Sequence, residues 1–117
     1  MIYRYTGAAL ALLLLQGCAS DPAPSEQMRL TEQMVEQART VAMDETVAEL
    51  SQAEDKLAQA RTAMDEESYR AARIQAEQAE LDARLAEARV LTLRSQAQLV
   101  ELNRHIERLR DQLGAMP

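Results

Sequence analysis

The chain has 117 residues, a formal net charge of -6, 47% hydrophobic residues, no Trp or Phe, and one cysteine. That length holds one small domain. A lone cysteine excludes an internal disulfide, and the acidic balance argues against a nucleic-acid partner and against a polybasic membrane contact.

The first segment, residues 1–17, has the parts of an export signal. Met1, Ile2, Tyr3 and Arg4 make a short positive region, Ala8 to Leu15 is an unbroken apolar run, and Gly17 is a small residue before Cys18. The run is too short to span a bilayer as a helix, which needs about 20 residues. Leu12-Leu13-Leu14-Leu15-Gln16-Gly17-Cys18 resembles a bacterial lipobox. The resemblance implies cleavage between Gly17 and Cys18 and a covalent N-acyl diacylglycerol lipid, palmitate included, on the Cys18 sulfur and amine. One acyl chain holds a protein only marginally, so stable anchoring takes more than one. Ala19, rather than Asp, follows the cysteine. By likeness to known lipoproteins that implies the periplasmic face of the outer membrane. No other cofactor is expected.

Residues 18–25 are the lipidated cysteine and a linker in which Pro22 and Pro24 disfavour helix. From there to Gly114 the chain has no proline or glycine and is rich in Ala, Glu, Gln, Leu and Arg, all strong helix formers. Residues 26–113 therefore read as an all-α domain, with helices over about 26–42, 45–64 and 67–113, followed by a tail at 114–117. The breaks come from an internal repeat. Ala38-Arg39-Thr40-Val41-Ala42-Met43-Asp44-Glu45-Thr46 resembles Ala60-Arg61-Thr62-Ala63-Met64-Asp65-Glu66-Glu67-Ser68. Arginine suits a helix end and acids suit a helix start, so Asp44 and Asp65 are expected as N-caps.

Apolar spacing describes the faces. Met43, Thr46, Leu50, Ala53, Leu57, Ala60 and Met64 step by three and four along one helix face. The last segment carries two stripes. One is mostly alanine: Tyr69, Ala72, Ala76, Ala79, Ala83, Ala86, Val90, Leu93, Ala97 and Val100. The other is larger: Ile74, Leu81, Leu85, Ala88, Leu99, Leu102, Ile106, Leu109 and Leu113, about 140° away. A helix with two apolar faces lies between partners. Segment 67–113 spans about 70 Å as a helix and 45–64 about 30 Å. A folded-back second helix leaves the end of the third bare, so Leu99, Leu102, Ile106, Leu109 and Leu113 are expected to form an interaction seam.

Leu50, Ala53, Leu57 and Ala60, then Asp65 with Ser68-Tyr69, then Ala72, Ala76, Ala79, Asp82-Ala83 and Ala86 resemble a family of short helical domains on Gram-negative envelope proteins, known only as a domain of unknown function. The similarity runs over residues 44–98. Some members are free-standing lipoproteins, and others precede an OmpA-like peptidoglycan-binding domain. The family's usual proline near the second helix and its turn glycine are replaced here by Thr46-Val47 and Met64-Asp65-Glu66. The resemblance implies a long antiparallel hairpin or three-helix arrangement with an extended C-terminal helix, in the cell envelope.

No chemistry stands out. His105 is the sole histidine, so no metal-ligand set is expected. The acids at Asp44-Glu45 and Asp65-Glu66-Glu67 suit helix N-termini, and no serine has a base beside it in a recognisable motif. Arg73–Glu77 and Glu80–Arg84 stand at i,i+4 and are expected as surface pairs. The expectation is a non-enzymatic, outer-membrane-anchored lipoprotein serving as a helical structural or interaction module. Its partners would be the membrane through the lipid, and either a second copy, an envelope protein or peptidoglycan-associated proteins. Two alternatives are a homo-oligomeric coiled-coil rod similar to Braun's lipoprotein, without covalent peptidoglycan attachment, and a periplasmic carrier or chaperone. The rod arises because the 43–64 stripe is in phase with the 74–113 stripe, so one helix would run straight through 64–67.

Overall fold

The computed structural model describes residues 21–43 and 45–115. They form three helices: α1 (Ser25–Ala42), α2 (Ala48–Asp65) and α3 (Tyr69–Gly114). No strand occurs among the described residues. α2 starts at Ala48 rather than 45: Glu45 N–H still bonds back to the Ala42 carbonyl at 2.9 Å, and Val47 is extended, with φ -122° and ψ 134°.

The chain runs up, down and up. α2 lies antiparallel to α3: Glu49 pairs with Arg89, and Lys56 with Asp82 at 2.5 Å. α1 lies parallel to α3: Gln27 Nε2 donates to Glu80, and further along Arg94 donates to the Val41 carbonyl. Arg39–Glu54 and Arg61–Glu32 join α1 to α2. The two exposed pairs between α1 and α2 are each worth about 1 kcal/mol or less, so they set register more than stability. Glu54, by accepting from Arg39 and by its charge, and then Glu36, hold the Arg39 guanidinium above its usual pKa. The pairing of Glu80 with Arg84 is present. The expected Arg73–Glu77 pair is not: Arg73 reaches instead toward the Pro22 carbonyl.

The core follows the alanine stripe. Ala72, Ala76, Ala79, Ala83, Ala86 and Val90 of α3 are buried against Ala53, Leu57, Ala60 and Ala63 of α2. From α1 come Met28, Thr31, Val35, Ala38 and Ala42. Small side chains let the helices approach closely; Met28, Val35, Leu57 and Val90 add the bulk, about 1.5–3 kcal/mol each when buried. Thr31, fully buried, satisfies its hydroxyl by donating toward the Gln27 carbonyl at 2.9 Å and the Ala76 carbonyl at 3.2 Å. That second bond crosses from α1 to α3. Glu87 lies between Glu80 and Arg94 at helical spacing, and its Oε1 is buried without a partner among the described residues.

The turn between α2 and α3 replaces the uninterrupted rod. Ser68 N–H donates to the Ala63 carbonyl at 2.8 Å, and Glu67 N–H to Met64 at 3.1 Å. Glu67 sits at φ 57°. This is the Schellman arrangement, usually closed by glycine. Asp65 is therefore the last residue of α2, not an N-cap. Ser68 takes the N-cap position of α3, without a side-chain bond. Asp44 lies outside the described residues.

Candidate functional site

Nothing in the described residues resembles a reaction centre. No grouping of three or more His, Cys, Asp and Glu is placed to hold a metal ion among them, and none of the described helices is long and apolar enough to cross a membrane. His105 is exposed on α3, with Nδ1 3.1 Å from Arg108. The methionines have separate fates: Met28 is buried, Met34 and Met64 are half-buried, and Met43 is exposed with φ 52°.

What does stand out is an uncovered apolar face. α3 is 46 residues long, while the bundle ends near Arg94. There the Arg94 guanidinium bonds Glu45 at 2.6 Å and the last-turn carbonyl of α1 at 2.7 Å, and so closes that helix end. Beyond it every described residue is exposed. Leu99 is 58% exposed, Leu102 56%, Ile106 38%, Leu109 49% and Leu113 65%. α1 does not cover them, because it stops beside Arg94. The alanine stripe also ends at the bundle's edge: it is buried through Val90, while Leu93, Ala97 and Val100 face outward.

The larger stripe is bare inside the bundle too. Ile74, Leu81, Leu85 and Ala88 are all exposed, because α1 and α2 occupy the other side of α3. Two bare apolar stretches, Ile74 to Ala88 and Leu99 to Leu113, therefore lie on one face of the helix, with Thr92 and Ser95 between them. Spacing in the sequence exposed the tail residues, but it did not show that Ile74 to Ala88 share their fate.

The opposite end is where the chain enters. Asp21, Glu67, Ser68, Tyr69, Arg70, Ala71 and Ile74 line an open recess of about 590 Å³, with Tyr69 half-buried in it. Residue 21 thus lies at the α2–α3 turn, and the bare tail lies at the far end. Gly17 and Cys18, the expected cleavage and lipid sites, lie outside the described residues.

These features define an all-helical protein with a small three-helix bundle and one overlong helix. Residues 26–102 match a family described as a domain of unknown function, DUF4398, and the chain belongs to that family. The match takes in α1 and more of α3 than the 44–98 expected. The chain is similar to a DUF4398 family protein from Pseudomonas aeruginosa PAO1 known from its crystal structure: 61% identity, 80% of this chain and 97% of the other covered, TM-score 0.74. The comparison with curated proteins finds no match.

Proposed function

We propose that the protein is an outer-membrane lipoprotein, held on the periplasmic face by a lipid on Cys18, and that it acts without catalysis as a helical structural and protein-interaction module. The observation that carries the interaction role is the bare apolar stripe on α3, with Leu99 to Leu113 standing clear of the bundle. Side chains of this size do not favour water, and an apolar strip of this length marks an interaction site. The anchoring role is supported by the Leu12–Cys18 motif and the leader before it. It agrees with a chain that enters the bundle at the end remote from the tail.

The division of labour follows. The lipid fixes position, the Pro22–Pro24 linker keeps the bundle near the surface, and α3 receives the partner. The test is Cys18→Ala. It should abolish incorporation of labelled palmitate and release the protein from membranes. A variant that still pellets with membranes refutes the anchor.

A further inference from the structure

The bare line on α3 has heptad spacing. With Leu85, Leu99, Ile106 and Leu113 at a positions, Leu81, Ala88, Leu102 and Leu109 fall at d. The bundle contacts use other positions, so a partner helix has the whole seam to itself. We infer that the partner is a second copy of this chain, lying antiparallel along α3, with the two-fold axis passing between Thr92 and Ser95. This deepens the docking role proposed above and rests on it.

Length, side-chain matching and charge all favour that arrangement. The bare stretch on the bundle, 74–92, is as long as the bare tail, 95–113. Turned end for end, each tail therefore covers the other copy's bundle face. The seam is self-complementary about this centre, as a two-fold interface requires. Thr92 meets Ser95, polar against polar; Ala88 meets Leu99, small against large; Leu85 meets Leu102. At the ends Ile74 meets Leu113, and the one mismatch sets Gln78 against Leu109. The exposed seam residues stand 38–65% uncovered. Their free surface amounts to about 700–800 Å² per chain, the size of one side of a standard interface.

Charge decides the direction. Flanking residues at e and g meet across such a seam. A parallel pair in register brings Arg84 to Arg89 and Glu77 to Asp82, so charges of like sign face each other. The antiparallel pair brings Arg110 to the Asp82–Lys56 pair of the bundle, and sets Glu77 beside Gln112 and Arg84 beside His105. Within the tail, Glu101 pairs with Arg104 and Arg108 on the outer side of the helix, away from the seam. The two chain entries then fall at opposite ends of the pair, about 60 Å apart at 1.5 Å per residue. A lipid at each Cys18 holds the pair lengthwise on a membrane.

Spin labels at two positions off the seam test this on the lipidated chain in detergent. Labels on Gln96→Cys, beside the axis, should lie within about 20 Å of each other, because helix axes in such a pair are 8–10 Å apart. Labels on Asp111→Cys should lie about 50 Å apart. Short distances at both positions mean a parallel pair and overturn the inference. Absence of dipolar coupling at both, with a monomer mass by light scattering, overturns it as well. Membrane retention and palmitate incorporation are read separately. Their loss with the short-and-long pattern intact sinks only the anchor; their retention without coupling sinks only the pair.

Discussion

The two halves of α3 have similar helix-forming composition and opposite fates. From Tyr69 to Arg94 the helix buries six positions, five of them alanine, against two neighbours. From Ser95 to Gly114 it buries none, and its large apolar residues face outward. Side-chain size explains the split. Alanine fits where three helices approach closely, whereas the tail leucines have neither α1 nor α2 beside them. The halves should also differ in dynamics. A helix of this length without tertiary packing is marginal in water, so in dilute solution the tail amides should exchange faster than those of 72–90, and protection of the tail should rise with concentration.

Substitutions sharpen the contrast. Ala83→Leu forces bulk into a closed interface and should cost about 3 kcal/mol of unfolding free energy in urea. Ala97→Leu, two heptads along the same helix but beyond the bundle, should change it by less than about 0.5 kcal/mol. If the two cost the same, the distinction between the halves collapses. Leu102→Glu with Leu109→Glu should leave bundle stability nearly unchanged and lower the mass seen by light scattering. Thr31→Val removes the bond from α1 to the Ala76 carbonyl and should cost about 1 kcal/mol. Glu87→Met removes a buried oxygen without a described partner and should gain about 1 kcal/mol. The smallest expected change is Glu67→Gly, which relieves a left-handed residue in the α2–α3 turn and should gain about 0.5 kcal/mol.

Legibility in the sequence followed the physics. Helix content and the overlong third helix could be read, because no proline or glycine interrupts residues 26–113 and the apolar spacing is regular. The turns were harder. Their left-handed residues are Met43 and Glu67, neither of which signals a turn, and Asp65 looked like a helix start although the Schellman bonds make it a helix end. Docking of α1 beside α3 was not readable. It depends on Thr31, a polar residue whose partner is a backbone carbonyl on another helix, and on Arg94, whose role needs the α1 terminus placed beside it. The candidate seam was legible only where no bundle residue interrupts the pattern. Ile74 to Ala88 carried the same spacing, but sequence alone did not say which of α3's two stripes the bundle would take.

Tyr69 gives this molecule an unusual optical property. No other aromatic residue follows Tyr5 in the chain, and Tyr69 sits at the end where the chain enters. In the mature chain proposed above, which begins at Cys18, its emission reports on that end alone, while circular dichroism averages every helical residue. Heating followed by both signals would watch a single tip against the whole rod, without any added dye.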